Sequence, residues 1–418
     1  RAVNPEFRVL TRMESFYGEH EVFWGGLEDG LEVETACLAT RGWEMPYDHP
    51  RYPGSRAFPA GSVYQQEFST QEGALASELE ERSSNAHFYV AAGPWVVFSP
   101  LVGVPYPSLT LRRLRLLREG GAKHLAHMGG THPPFMVPFN VNHEVLRAFQ
   151  FDPELELDAF LRRTAEGWAG KDLAHVLLRA WDRAEEAILA FPHVSGLYST
   201  FGFVWYRLWA RPLVPDIEAI SLEDRAYYQD FMCTTPHNPN NVDLSRDVLF
   251  QLATVAEGRR TVERMDAHVW GPLQEAIALL EGVRGEAAAS LGQENVVEDQ
   301  LVRLSALRCW METQRNVAAW IWGVCGYGEA GSEEERAQLR GVVRELISRE
   351  LANSRLLLEL LGSGVRFMAT TDQGETPLVY GENLKELLTR RMALMEAHRD
   401  DEPFIDPDYM ERKAGERA

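Results

Sequence analysis

The sequence predicts an α/β segment followed by an all-α one: a partial (β/α) barrel of about four strand–helix units, then a large helical domain. Three observations predict it. Between residues 87 and 128 the chain reads strand, loop, helix, Gly-Gly, strand, the order a parallel crossover requires because parallel strands cannot be joined by a tight hairpin. The composition changes after about Gln150, where turn-rich segments give way to long amphipathic runs. From there onward the apolar residues recur at helical spacing. The expected division is therefore 1–150, a partial β/α-barrel segment, and 151–418, a mainly α-helical domain.

In order along the chain, residues 7–13 (FRVLTRM) have strand composition, and 31–39 (LEVETACLA) begin with Leu31, Val33 and Thr35 alternating against Glu32, Glu34 and Ala36. A loop rich in Gly, Pro and aromatics fills 40–61. Residues 87–92 (HFYVAA) read as a third strand. Pro107 and Ser108 open a helix over 109–119 with Leu111, Leu114 and Leu117 on one face, and Gly120-Gly121 end it. Residues 122–128 (AKHLAHM) give a fourth strand. Asp152-Pro153 reads as an N-cap and first helical position. The helix it opens runs to Trp168 and stops at Gly170, and a second follows over 172–190. Later helices are expected over 247–284, 295–322, 333–361 and 382–398.

Composition narrows the function. Of 418 residues, 62 are acidic and 42 basic, a formal charge of -20, which argues against nucleic acid as a partner because phosphate binding needs a clustered basic surface. The densest basic run carries Arg112, Arg113, Arg115 and Arg118 and reads as the solvated face of an amphipathic helix. The 4 cysteines form no CxxC, and Cys309 and Cys325 lie in an apolar helical stretch as core residues. No run approaches a membrane span, and the first residues do not read as a signal peptide. A soluble, cytoplasmic protein is expected, without membrane partner. The start has no Met and enters a strand within a few residues, as a chain would that begins inside a domain.

No dinucleotide fingerprint, phosphate loop, HExxH or GxSxG is present, and no cofactor or metal is expected. In parallel β/α architectures ligands bind at the carboxyl ends of strands. Glu14 follows the first strand; Trp43, Glu44, Tyr47 and Asp48 follow the second; Trp95 follows the third; His127, Asn140, Asn142 and His143 close or follow the fourth. Carboxylates beside Trp and Tyr suit carbohydrate chemistry: sugars stack on aromatics, and cleavage of a glycosidic bond needs one carboxylic acid and a second carboxylate as base or nucleophile. Glu14 and Glu44 are the expected catalytic pair, against the plainer reading that both are ordinary loop carboxylates. The other eight are the expected substrate contacts. His124 and His127, three apart in a strand, point to opposite faces and would not chelate together. Trp205 and Trp209 read as core.

The stretch NHEVLRAFQFDPELELDAFLRRTAEGWAG, from Asn142 to Gly170, is similar to the passage where glycoside hydrolases with a β/α barrel and a trailing helical domain leave the last barrel strand. In this it resembles the family 67 α-glucuronidases. The resemblance implies the later half of such an enzyme, or a subunit of one, acting on a carbohydrate. The alternative is a non-catalytic sugar-binding or scaffold subunit; a third reading is a different barrel hydrolase or lyase using His127 or His143 as base. Four strands fall short of the eight a closed barrel needs, so a second chain or a missing N-terminal segment is expected to complete it.

Overall fold

The computed structural model describes residues 101–119, 137–191, 209, 211–229, 254–368 and 384–405, together with the backbone of six short strands. Four of these strands, β1 (Leu10–Met13), β2 (Glu32–Thr35), β5 (Ala86–Val90) and β6 (His124–His127), pair in parallel in the order β1-β2-β5-β6. Met13 stands opposite Thr35, and Val90 opposite His127. The other two, β3 (Leu38–Thr40) and β4 (Gln65–Phe68), form an antiparallel pair.

The expected fold class is overturned. The body that carries the described core is all-α, and no barrel closes among the described residues. Among the described residues ten α-helices build that body: α1 (Pro107–Glu119), α2 (Val141–Phe151), α3 (Leu157–Ala190), α4 (Leu222–Gln229), α5 (Val255–His268), α6 (Trp270–Leu291), α7 (Val296–Trp320), α8 (Gly326–Glu329), α9 (Glu333–Leu360) and α10 (Leu384–Ala397). Only α1 lies between two strands of the parallel ladder among the described residues, so one strand–helix–strand unit stands where about four were expected. The reason is one of area. The strand segments are three to five residues long, whereas the helices present stripes running for many turns, and burial of those stripes dominates the free energy.

The helix caps are legible in the sequence. Thr254 and Glu257 form a reciprocal capping box on α5, with Glu257 N donating to Thr254 Oγ1 at 3.2 Å and Thr254 N to Glu257 Oε2 at 3.0 Å. Asn295 accepts from Val297 N and Glu298 N at the start of α7, and Ser332 accepts from Glu335 N at the start of α9. The expected cap at Asp152 is not formed. Asp152 instead ends α2, accepting from Glu154 N through its side chain, and the next helix begins at Leu157. The apolar spacing of Val141, Val145 and Phe149 had already committed 141–151 to a helix of its own. The break at Gly170 is present as a kink within α3, where φ is 75°.

At the centre lies α7, buried on every side along nearly its whole length, with α6, α5 and α9 packed around it. On the outside, α3 lies along α6 and α10 along α9. A helix enclosed on all faces is expected to be apolar all round, yet α7 also buries Asp299, Gln300, Arg303, Thr313, Gln314, Arg315 and Asn316. Beyond α7 one π turn (Ile321–Cys325) runs between α5 and α9. The approach there depends on glycine: a Cβ on Gly258 would stand 2.6 Å from the Ala318 carbonyl oxygen. Cys309 and Trp209 are buried as expected; Cys325 is half-buried. Of the basic run, Arg112, Arg115 and Arg118 are exposed, while Arg113 is buried, which lowers its guanidinium to about 10.

Helix α1 takes its N-terminal cap from elsewhere in the chain. Glu185 of α3 accepts from Ser108 N at 2.6 Å and Leu109 N at 3.3 Å, satisfying donors that every helix start leaves open. Burial nevertheless dominates, raising the Glu185 carboxyl to about 7. The folded state then binds the proton more tightly than the unfolded one, so stability falls as pH rises from about 4.5 to about 7. The shift corresponds to about 3 kcal/mol at pH 8. Glu185→Gln is expected to remove that slope: its denaturation midpoint should exceed the parent's at pH 8, with the gap closing at pH 4. An identical pH profile for both proteins would show that Glu185 does not titrate in this window.

Candidate functional site

Segments 101–106 and 137–140 follow β5 and β6 in the chain and lead into α1 and α2. In parallel sheets such connections are where ligands gather. Here they are stitched to each other and to the helical body. Asn142, buried, accepts from Tyr106 N at 2.8 Å and donates to the Val104 carbonyl at 2.7 Å. Val102 N donates to the Phe367 carbonyl at 2.9 Å, and Leu101 bridges Met368. Arg303 from α7 reaches the same place, donating to the carbonyls of Val102 (2.7 Å) and Arg366 (3.2 Å) while holding both oxygens of Asp299 at 2.8 Å. Gln300 donates to the Phe139 carbonyl and to Asp299, and accepts from Trp181 Nε1 at 3.1 Å. Phe139, Trp168 and Trp181 form a chain of edge-to-face contacts, 5.5 and 6.0 Å between centroids.

Against this web lies a cavity of about 390 Å³, lined by Pro138 and Phe139, by Gln293 to Asn295, Glu298 and Asp299 around the start of α7, and by Ser363 to Arg366 after α9. Its size falls in the range of small-molecule sites. Glu298 is gripped by Arg284 at 2.6 and 2.7 Å, and Asp299 by Arg303. Both carboxylates are thus charge-paired acceptors. Gln293, Glu294 and Arg366 are exposed at the rim. Among the described residues no group of three His, Cys, Asp or Glu side chains could hold a metal ion, and no helix is long and apolar enough to cross a membrane.

Of the residues expected from sequence, Glu14, Trp43, Glu44, Tyr47, Asp48 and Trp95 lie outside the described residues. His127 is the last residue of β6. Asn140 caps α2, accepting from His143 N at 3.2 Å, and His143 is half-buried in the first turn. The structure therefore gathers Asn140, Asn142 and His143 at one helix start, with both ends of the Asn142 amide engaged by backbone. Sequence reasoning passed over Phe139, Gln293, Glu294, Glu298, Asp299 and Arg366. One signal was present: Asp299 and Arg303 stand four apart in a run that otherwise reads as core, where only a paired charge can be buried.

No family model matches the chain, and no curated protein matches it in sequence. Among solved structures it is similar to a GH138 enzyme targeting pectin rhamnogalacturonan II, with a TM-score of 0.51 and 12% identity. The match covers 94% of this chain and 46% of that one, so the chain spans less than half of that enzyme's length. At this identity the likeness is one of fold. The solved structure it resembles in fold is that of a glycoside hydrolase, of a family other than the α-glucuronidases expected from the sequence.

Proposed function

We propose that this chain is a carbohydrate-active glycoside hydrolase, or a part or subunit of one. The observation that carries the reading is the fold likeness to a glycoside hydrolase over 94% of the chain. In this reading Glu14 and Glu44 serve as general acid and as base or nucleophile. Trp43, Tyr47, Asp48, Trp95, His127, Asn140 and His143 contact the sugar, and Asn142 holds the 104–106 segment in place.

Turnover of a panel of aryl glycosides tests it. Glu14→Gln and Glu44→Gln are each expected to lower kcat about a hundredfold or more, the scale of a lost acid or base. Unchanged turnover in both variants would remove the pair from the mechanism. The second reading, a non-catalytic sugar-binding subunit, is favoured by the cavity itself, where the Glu298 and Asp299 carboxylates are locked to arginines. It predicts sugar binding with no hydrolysis of any panel member by the parent protein.

A further inference from the structure

The lining of the cavity at the start of α7 selects its ligand class by elimination. Anions meet Glu294, Glu298 and Asp299, against Arg366 as the cationic side chain of the lining, while Arg284 and Arg303 each spend two donors on a carboxylate. A divalent cation finds no suitable cluster among the described residues. A purely apolar ligand would take Glu294, exposed at the rim, out of water with no group to bond it, which costs free energy. A neutral polyhydroxylated ring meets none of these objections. Its hydroxyl hydrogens are donors for carboxylate and amide oxygens, Gln293 supplies donors to its oxygens, and Pro138, Phe139 and Val365 offer an apolar wall to its C–H face.

The lining is also held in place before any ligand arrives. Arg284 fixes Glu298, Arg303 and Gln300 fix Asp299, and Trp168 stands edge-on to Phe139. Gly364 turns the opposite wall at φ 88°, a conformation that favours glycine. Such preorganisation lowers the ordering cost of binding.

We propose that this cavity is a glycosyl-binding subsite for a neutral sugar unit, built jointly by the segment after β6 and the helical body, from residues other than Glu14 and Glu44. The inference rests on the carbohydrate reading above but names a different set of residues, so the two can fail independently. The probes are methyl glucoside, methyl galactoside and methyl mannoside, with galacturonate and inorganic phosphate as anionic comparisons, titrated by ligand-observed NMR into the full chain. At least one neutral glycoside is expected to bind saturably and more tightly than either anion. Gln293→Trp, which fills the mouth from an exposed position, and Glu294→Ala are each expected to weaken it about tenfold or more while the thermal midpoint stays at the parent value. Binding without hydrolysis, lost in these variants, would support the subsite and defeat the catalytic reading. Hydrolysis by the parent with glycoside binding unaltered in both variants would overturn the subsite and leave the catalytic reading standing. Tighter binding of galacturonate or phosphate, or no binding of any neutral probe, would also overturn it.

Discussion

Glu350→Ala is expected to destabilise the protein by about 3–5 kcal/mol, the cost of leaving a buried charge without its partner. Glu350 in α9 and Arg391 in α10 are both fully buried, and their side chains meet at 2.8 Å. Most of the remaining polar atoms are served by neighbours, Arg391 Nη2 excepted among the described residues. Glu350 accepts from Thr313 Oγ1 and Asn316 Nδ2, each at 2.7 Å; Arg391 donates to Ser354 Oγ and to the Arg211 carbonyl. The network ties α7, α9, α10 and the 211–217 segment together, and Trp320 reinforces it by donating to the Val214 carbonyl at 2.6 Å. Truncating Glu350 strands the guanidinium in a low-dielectric interior. Arg391→Met should cost a similar amount by stranding the carboxylate. The double replacement Glu350→Leu with Arg391→Met should recover part of the loss, because it removes both charges while leaving Thr313, Asn316 and the Arg211 carbonyl short of partners. Urea denaturation reads all three, as a shift of midpoint at constant slope. A loss below about 1 kcal/mol for either single variant, as surface pairs give, would contradict this account.

The second large effect is expected at Arg303. Its side chain is fully buried, and it joins α7 to residues 102 and 366 as well as to Asp299. Arg303→Met leaves the Asp299 carboxylate without this counter-charge, and the buried Val102 carbonyl and part-buried Arg366 carbonyl without this donor, again about 3–5 kcal/mol. Arg303 also braces a wall of the cavity, so this variant is expected to weaken glycoside binding. Asp299→Asn should be milder, since an amide oxygen still accepts from the guanidinium. If Arg303→Met unfolds at the parent's midpoint, the pair does not hold the segment after β5 to the helical body.

The positions of most helices were legible because periodicity and capping are local. Asn295 and Ser332 announce their helices through side-chain oxygens and spacing alone, and Gly170 marks its kink; the Thr254 capping box was missed, and the helix expected from 247 starts at Val255. The helix over 141–151 was missed because Asn140, Asn142 and His143 read as a polar site run. The same letters are a cap, a staple between backbone groups and a first-turn residue. The cavity was illegible for a related reason. Its walls come from residues near 138, 294 and 365, more than 150 positions apart at the first step, and no window of sequence contains two of them.

What the sequence determined by itself was local: most helices of the second part, the starts at Asn295 and Ser332, the kink at Gly170, and the burial of Cys309 and Trp209; the start at 247 and the break near Val269, where one expected helix became two, were not among them. What only the tertiary structure decided was which polar residues are enclosed. Glu350, Arg391, Asp299 and Arg303 look like solvated helix charges in a chain rich in such charges, and they become buried because α7 is surrounded on all faces. The fold class was decided there too. Short strand-like runs and long amphipathic runs both satisfy local preference, but the larger apolar area lies on the helices, and the described core forms where that area is buried.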